Sequence, residues 1–426
     1  MAKEWHIDTK CIQEGWKPGN GEPRVLPIYQ STTFKYDDAQ TLGDLFDLKI
    51  AGDFYTRLSN PTTNAVENKI AALEGGVGAL LTSAGQAASL IAVLNIAHSG
   101  DHIISGSAIY GGTFNLFNKT LREMGIDVTF LEPDATDEEI EAAFRPETKL
   151  LFGETLSNPA LNVLDIGQYA RLAHAHGVPL IVDNTFPTPV NCRPFAFGAD
   201  IVIHSTSKYL DGHATALGGV IVDGGSFDWA KNGRYPGLTE PDESYHGLVY
   251  VKDFPASPYI TKARLQLTRD FGFCPTAQAA WLTNLGLETL ALRVERHSAN
   301  ALAVARYLAG QEKIEFVNYP FLEGDKYYDL AHKYLRGGAS GVVSFSVKGA
   351  REKAAKFIDS LKLASLEVHV AEVRTAVLHP ASSTHRQLTD AQLAAAGITP
   401  GLVRFSCGIE NIEDILADIE QALAQV

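Results

Sequence analysis

Four polar side chains near two predicted strand ends could together carry out chemistry. Lys208 follows the apolar run at 201–203, with Ser205 and Ser207 between them, and Asp183 ends an earlier apolar run. The carboxyl ends of parallel strands meet at one edge of an open α/β sheet, which is where such sheets bind ligands. An amine, two hydroxyls and a carboxylate are therefore expected in one crevice. A Ser-x-Ser-Lys segment alone also occurs on ordinary surfaces, so the site needs support from other residues.

Asp183 narrows the chemistry that this crevice could support. A carboxylate at the end of a buried strand is costly unless it meets a cation or a protonated nitrogen. By itself it could be a metal ligand or a helix cap. Together with the amine of Lys208 it fits a cofactor that has an aldehyde at one end and a basic ring nitrogen at the other. Pyridoxal 5'-phosphate has both groups, and proteins hold it with a lysine and an aspartate.

Two glycine-containing turns follow strands and could complete the site. Ser83-Ala84-Gly85-Gln86 opens an Ala-rich helix, where backbone N–H groups and the helix dipole favour a phosphate. Such a turn also occurs for packing alone. Tyr110, which precedes Gly111-Gly112, is either an ordinary turn residue or a ring stacked on the cofactor. The joint occurrence of these features with Asp183 and Lys208 favours the cofactor site.

Short apolar strands alternate with helical segments from residue 60 onward. Strands are predicted at 78–82, 102–105, 128–131, 150–152, 180–182, 201–203 and 219–222. Helices are predicted at 61–74, 83–97, 137–144 and 165–176, the third behind a capping box at 136–139. This alternation predicts an α/β fold whose mostly parallel sheet is covered on both faces.

The chain is expected to have three parts. Residues 1–60 are predicted as an extended arm against a neighbouring subunit, 61–275 as the cofactor-binding domain, and 276–426 as a smaller C-terminal α+β domain. One long helix at 276–308 would join the two domains. Residues 224–262 break the pattern and are predicted as an insertion near the mouth of the pocket. The smaller domain is expected to contain strands at 341–345 and 402–406 and helices at 350–360, 389–396 and 412–423.

Composition excludes several classes of partner. The formal net charge of −14 is spread along the chain, which disfavours nucleic acid and anionic membranes as main partners. We find no run of membrane-spanning length and no apolar core of signal-peptide type at the N-terminus. The four cysteines form no Cys-x-x-Cys pair, so free thiols in a cytoplasmic protein are expected, and no metal site.

Ordered motifs along nearly the whole chain carry a family resemblance. They lie at 27–34, 55–57, 60–62, 73–76, 110–113, 154–155, 158–159, 183–185, 198–200, 205–209, 286–290 and 379–385, with Arg404, Ser406 and Gly408. On these residues the chain resembles the cystathionine γ-synthase-like family of pyridoxal-phosphate enzymes in cysteine and methionine metabolism. Within the family it is most similar to the O-acetylhomoserine sulfhydrylases, or homocysteine synthases. The resemblance implies fold type I, with a seven-stranded sheet in the large domain.

The resemblance also implies roles for particular residues. Lys208 would hold the cofactor and move protons, Asp183 would pair with the ring nitrogen, and Tyr110 would stack on the ring and assist proton transfer. Arg404 would bind the substrate carboxylate in a bidentate manner. Asn158 would lie near the ring and the substrate, with Thr375 on the substrate side. The phosphate would be bound by Gly85, Gln86, Ser205 and Ser207, and by Tyr55 and Arg57 of a neighbouring subunit.

These roles imply a homo-oligomer, most often a tetramer built from dimers, that acts on small molecules. The implied reaction is a γ-replacement in methionine biosynthesis, in which O-acetyl-L-homoserine and sulfide, or a small thiol, give L-homocysteine and acetate. Cystathionine γ-synthase and methionine γ-lyase activities remain open alternatives. Residues 369–375 depart from the Asn-x-Gly-Asp segment of many relatives, and Gln86 stands where the family often has Met. A nicotinamide dehydrogenase is disfavoured, because 83–88 lacks Gly-x-Gly-x-x-Gly.

Overall fold

The larger of two sheets contains seven strands in the order β1-β7-β6-β5-β4-β2-β3. The structure is a computed structural model that describes residues 5–383, 386 and 399–426. The strands are β1 (Gly78–Thr82), β2 (His102–Gly106), β3 (Asp127–Leu131), β4 (Thr148–Glu154), β5 (Leu180–Asp183), β6 (Ile201–His204) and β7 (Gly219–Asp223). Every predicted strand is present, and β7 lies beside β6 as expected.

All neighbours from β3 to β6 pair in parallel, and only β7 is antiparallel to the strands on its two sides. Since β7 reverses the direction twice, β1 runs the same way as β6. The carboxyl ends of β1, β2, β4, β5 and β6 therefore share one edge of the sheet. This shared edge is what brings the predicted site residues together.

Helices cover both faces of this sheet because its side chains alternate between two buried clusters. Leu180 and Val182 belong to one cluster, while Ile181 between them belongs to the other. In chain order the helices are α1 (Ile7–Gln13), α2 (Ala39–Phe46), α3 (Pro61–Glu74), α4 (Gly85–Leu94), α5 (Gly111–Asn115), α6 (Asp137–Ala143), α7 (Ile166–Ala175), α8 (Thr188–Asn191), α9 (Pro236–Thr239), α10 (Tyr250–Asp253), α11 (Pro258–Lys262) and α12 (Arg269–Phe271).

Local sequence explains where several of these helices begin. The Asn60 side chain accepts the N–H of Thr62, and Pro61 occupies the first position of α3. Thr136 and Glu139 form the predicted reciprocal capping box of α6. In contrast, α4 begins after Ala84, whose side chain cannot cap it. The first N–H groups of α4 therefore have no side-chain acceptor at the cap position.

The smaller sheet has five strands in the order β10-β11-β12-β9-β8. Three helices pack on it or on each other: α14 contacts β8 and β9, and α16 contacts β9 and α17. The elements are α13 (Ala277–Glu288), α14 (Leu290–Ala309), β8 (Ile314–Asn318), α15 (Tyr328–Tyr334), β9 (Val342–Val347), α16 (Ala350–Ser360), β10 (Ser365–Leu366), β11 (Ala376–Leu378), β12 (Leu402–Ser406) and α17 (Ile412–Leu423). The predicted helix at 389–396 lies outside the described residues.

The structure differs from the expectations in three places. The helix at 276–308 is two helices, because Thr289 is not helical and the carbonyl of Gly286 accepts from Thr289 N and from Arg293 Nη2. The arm contains α1 and α2 and is not wholly extended.

Among the described residues, no helix is long and apolar enough to cross a membrane.

The third difference concerns the insertion at 224–262. Arg234 donates to the carbonyls of Pro146 and Thr148, and the Tyr235 hydroxyl donates to the carbonyl of Lys149. These carbonyls lie at the start of β4, whereas the predicted site lies at its end. The expectation of a position near the pocket mouth is therefore wrong for this part of the segment, whose buried aromatic rings pack on the sheet.

Candidate active site

Five loops meet at the carboxyl edge of the large sheet. They follow β1, β2, β4, β5 and β6. Asp183 is the last residue of β5, Gly85 begins the helix after β1, and Tyr110, Asn158 and Lys208 lie in the loops after β2, β4 and β6. The parallel pairing of β4, β5 and β6 puts Glu154 beside Asp183 and Asp183 beside Ile203 in register. The sequence-based expectation that these residues share one crevice follows directly from this topology.

The amine of Lys208 lies in a partly buried position at this edge. Its Nζ is 3.1 Å from Nδ1 of His369, a residue of the smaller domain. Burial and the nearby Arg404 guanidinium together lower the pKa of Lys208 to about 8, with Glu367 acting in the opposite direction. An amine with this pKa is partly neutral near neutral pH, so it can act both as a nucleophile and as a base.

Asp183 is joined to the lysine loop through Thr185. The Asp183 carboxylate accepts from Thr185 N at 3.0 Å and from Thr185 Oγ1 at 2.5 Å, and the same Oγ1 accepts from Ser205 N at 2.9 Å. Burial raises the pKa of Asp183, against the lowering effect of these hydrogen bonds. A buried carboxyl group of this kind is best satisfied by a protonated nitrogen nearby.

The turn at Gly85 forms a tight cradle against Ser205. A side chain at Gly85 would put its Cβ 2.7 Å from Cβ and 3.0 Å from Oγ of Ser205. On the other side, a Cβ at Gly112 would lie 2.4 Å from Gln86 Nε2 and 2.5 Å from the Tyr110 ring. Gly85 thus lets the start of α4 approach the lysine loop closely, and Gly112 leaves room for the Gln86 side chain and the Tyr110 ring. With its uncapped N–H groups, α4 presents an anion-binding site toward Ser205.

The hydroxyl of Ser207 forms its hydrogen bonds with the backbone of Gly218. Its hydroxyl accepts from Gly218 N at 3.0 Å and lies 3.2 Å from the carbonyl of Gly218, as a donor to it. These bonds hold the turn that carries Lys208 against the start of β7. Ser207 therefore stabilises the loop through contacts inside the protein.

Tyr110 is anchored by its backbone and half exposed by its ring. Its N–H donates to Oε2 of Glu154 at 2.6 Å, while half of its surface remains accessible. Glu154 is almost fully buried, and its pKa lies well above the usual value because of burial and the neighbouring Asp183 charge. Glu154 was not among the predicted site residues, although it ends an apolar run in the same way as Asp183.

Several buried polar atoms around the crevice have no hydrogen-bond partner among the residues that the structure describes. Buried polar groups are normally paired, so a cluster of unpaired ones indicates a ligand site. The set contains both acceptors and donors, which suits a ligand that carries both kinds of group. Its members are Gln86 Oε1, Asn158 Oδ1, Glu367 Oε1, His369 Nε2 and Arg404 Nε.

The model of the family of Cys/Met metabolism PLP-dependent enzymes matches residues 8–424. The chain belongs to this family. Among curated relatives, the O-acetyl-L-homoserine sulfhydrylase of Leptospira meyeri is 45% identical and that of Corynebacterium glutamicum is 44% identical. Both alignments cover 100% of this chain and 98% of the relative. The family assignment makes pyridoxal phosphate (PLP) the cofactor to test against the site.

A solved structure with a similar fold supports the same assignment. The putative O-acetylhomoserine (thiol)-lyase of Campylobacter jejuni is 35% identical, with a TM-score of 0.95. The match covers 99% of this chain and 100% of that protein, which contains N'-pyridoxyl-lysine-5'-monophosphate. The α/β fold with a smaller C-terminal domain is thus confirmed as that of a PLP-dependent enzyme.

The crevice residues fit PLP on structural grounds. Burial raises the pKa of the half-buried Asp183 carboxyl, so a protonated ring nitrogen such as that of PLP would stabilise its ionised form. Lys208 offers an amine with lowered pKa for the aldehyde, and the glycine cradle beside Ser205 leaves space for the phosphate. The unpaired Nε of Arg404 is suited to a substrate carboxylate.

Three predicted residues make their described contacts elsewhere. Thr375 is fully buried, and its hydroxyl donates to Glu410 and accepts from Gly408 N. Its place in substrate binding stays a prediction. Arg57 donates to the carbonyl of Arg269 and lies 5.2 Å from the Tyr55 ring centroid. Tyr55 and Arg57 instead line a separate cavity of about 730 Å³ beside Tyr245 and His246.

Proposed function

We propose that this protein is a PLP-dependent transferase that converts O-acetyl-L-homoserine and sulfide, or a small thiol, to L-homocysteine and acetate. The observation that carries the proposal is the placement of Lys208 and Asp183 at one sheet edge. There the pKa of Lys208 is lowered to about 8, and burial disfavours the ionised Asp183 carboxyl unless a protonated nitrogen lies beside it. The reaction is taken from the full-length relatives, which are named O-acetyl-L-homoserine sulfhydrylases.

PLP, when bound, supplies an electron sink that makes protons next to the substrate amino group acidic and allows a γ-substituent to leave. Lys208 would hold the cofactor and then move these protons with its amine. A pKa of about 8 suits this work, because proton transfer is most efficient when the pKa is close to the working pH. Asp183 would keep the ring nitrogen protonated, and the bonds from Thr185 would orient its carboxylate.

Substrate orientation would come from Arg404 and Asn158. Arg404 has a buried guanidinium whose Nη2 donates to the carbonyl of Val368, while its Nε is unpaired. A carboxylate that bound this Nε would satisfy the guanidinium. Asn158 has an unpaired Oδ1 in the loop after β4 and could accept from the ring or the substrate. The Tyr110 ring would stack on the cofactor and assist proton transfer.

The phosphate would be bound by the start of α4 at Gly85 and Gln86, with Ser205 and Ser207. Tyr55 and Arg57 of a neighbouring subunit would complete it. Their contacts within their own chain support this assignment, since Arg57 bonds to Arg269 and both residues line the cavity beside Tyr245. We further propose a cytoplasmic homo-oligomer, a tetramer built from dimers. Exposed apolar side chains on the N-terminal arm, at Val25, Ile28, Tyr29 and Phe46, support such an interface.

A product assay tests the proposed reaction. The purified holoenzyme would be incubated with O-acetyl-, O-succinyl- or O-phosphohomoserine, each with sulfide, methanethiol or cysteine, and the amino-acid product would be identified. We expect homocysteine from O-acetylhomoserine and sulfide. Cystathionine as the main product, or a 2-oxo acid released from methionine, would identify the alternative activities and overturn the proposal. Lys208→Ala should retain the fold and lose turnover.

A further inference from the structure

His369 contacts the reactive amine of Lys208 but takes no part in the proposed binding of cofactor or substrate. Its Nδ1 lies 3.1 Å from Lys208 Nζ, although 161 positions separate the two residues in the chain. The imidazole is half-buried, and its other nitrogen, Nε2, is buried and has no hydrogen-bond partner within the described part of the chain. One side of the ring therefore meets the lysine, and the other carries a buried polar atom that is free to meet a ligand.

The backbone that carries His369 is held on both sides. Arg404 Nη2 donates to the carbonyl of Val368 at 2.9 Å and lies 3.4 Å from that of His369. Two residues later, Ala371 N donates to Ser406 Oγ at 3.0 Å. Because Arg404 and Ser406 both belong to β12, this strand sets the position of the imidazole.

A second anchor ties the segment to the lysine loop. Val373 N donates to the carbonyl of Gly212, four residues after Lys208, at 3.0 Å. Ala371 has a φ of 67°, a left-handed conformation that is unfavourable for alanine. A strained residue between two anchored positions indicates that the surroundings fix the course of this segment. The approach of His369 to Lys208 is thus a property of the fold.

The imidazole of His369 is neutral at physiological pH. Burial and the positive charge of Lys208 are the main causes that lower its pKa to about 4. Asp211 and the carbonyl of Ser207 act in the opposite direction, while Arg404 adds to the lowering. A neutral ring that accepts from the lysine at Nδ1 carries its proton on Nε2. This tautomer leaves a buried N–H donor directed away from the amine.

We propose that His369 is a positioning residue for Lys208, whose amine it holds by accepting a hydrogen bond at Nδ1. This inference rests on the proposed function, in which Lys208 binds PLP. A held amine meets the aldehyde carbon in one orientation, so less rotational freedom is lost when the carbon–nitrogen bond forms and water leaves. The segment that departs from many relatives would thereby supply a contact to the lysine.

Three substitutions separate the two ring nitrogens. His369→Asn keeps an acceptor close to the position of Nδ1, His369→Gln keeps a polar atom near Nε2 alone, and His369→Leu removes both. His332→Leu, on an exposed position of α15, is the matched surface control. Circular dichroism and Tm of each variant would report whether the fold is retained.

The measurement is the reaction of the protein, freed of PLP, with added PLP at a series of pH values. Its rate constant would be followed by absorbance, and borohydride trapping with mass spectrometry would identify the adduct at Lys208. We expect His369→Asn and His332→Leu to stay within about threefold of the wild type, and His369→Gln and His369→Leu to be slower by about tenfold, as loss of orientation predicts.

The outcomes distinguish the two claims. If the wild type forms no adduct at Lys208, the proposed function fails. If all variants react at the wild-type rate, the proposed function stands and the role of His369 is wrong. A slow His369→Asn with a normal His369→Gln would likewise overturn it, because Nε2 would then be the active nitrogen. Should His369→Leu not fold, the Asn and Gln variants decide between these outcomes.

Discussion

Glu154 and Asp183 face each other in register at the carboxyl ends of two neighbouring parallel strands. The Asp183 charge raises the pKa of Glu154 beyond the effect of burial alone. Glu154 also accepts the N–H of Tyr110 at 2.6 Å, so the pair links the predicted ring-nitrogen partner to the predicted stacking ring. Two adjacent buried carboxyl groups are stable only if one is protonated or a cation is near.

This pair predicts how stability changes with pH. Because the pKa of Glu154 in the folded protein is above its usual value of 4.5, the stability contributed by the protonated carboxyl is present below that value and is lost as pH rises through the folded-state pKa. Glu154→Gln cannot ionise, and its amide oxygen can still accept from Tyr110. We therefore expect the variant, without PLP, to be more stable than the wild type at high pH. This difference in stability should shrink as the pH is lowered.

The stability difference would be measured as the difference in Tm between variant and wild type. It should be small at about pH 5 and large at about pH 8.5. Glu312→Gln, at an exposed position, is the control and should show no such trend. An equal difference at both pH values would contradict the raised pKa of Glu154.

Gly85→Ala should weaken PLP binding. The new Cβ would lie 2.7 Å from Cβ of Ser205, and overpacking of this kind typically costs about 1–3 kcal/mol. Fluorescence titration of the PLP-free protein would give the Kd. Gly43→Ala is the matched control, since a Cβ there meets nothing within 4 Å. Equal PLP affinities for the two variants would exclude a tight cradle at Gly85.

Arg404→Lys should raise KM for the acyl homoserine more than it changes kcat. Lysine keeps the charge but cannot offer two parallel N–H groups to a carboxylate. The loss of one charge-assisted hydrogen bond, about 1.5–3 kcal/mol, corresponds to roughly a 10- to 100-fold increase in KM. Steady-state kinetics would measure this increase in KM, with Arg296→Lys at an exposed position as the control. An unchanged KM would show that Arg404 is not a substrate-binding residue.

Mixing two inactive variants tests whether sites are shared between subunits. Lys208→Ala and Arg57→Ala should each have little activity alone. If Arg57 acts on the neighbour's site, random re-pairing makes half of the dimers mixed, each with one intact site, and restores about a quarter of the wild-type activity. Mixtures would be refolded or co-expressed and assayed with both parents as controls. No recovery would show that Arg57 serves its own chain.

Much of the architecture followed from local patterns. All seven strands of the large sheet were predicted, since short apolar segments between helices have few alternatives to a parallel sheet. That topology also places Asp183 and Lys208 at one edge, because parallel strands present their carboxyl ends together. Where local geometry dominates, as in the capping box at Thr136 and Glu139, the prediction was correct in detail.

Contacts between remote segments were not predictable in this way. The break at Thr289 depends on Arg293 reaching the carbonyl of Gly286, and residues around Tyr235 bind the opposite edge of the sheet from the one expected. The periodicity of the 276–308 helix and the composition of the insertion give no information on such partners.

The amino-acid sequence was enough to predict the family, the large sheet and the pairing of Asp183 with Lys208 at one edge. These depend on residue types and strand order, both of which can be read along the chain. Only the tertiary structure placed His369 beside the amine of Lys208 and Glu154 beside Asp183. The first contact requires β12 and the lysine loop to pack together, and the second requires a specific register. Neither packing nor register is encoded in spacing alone.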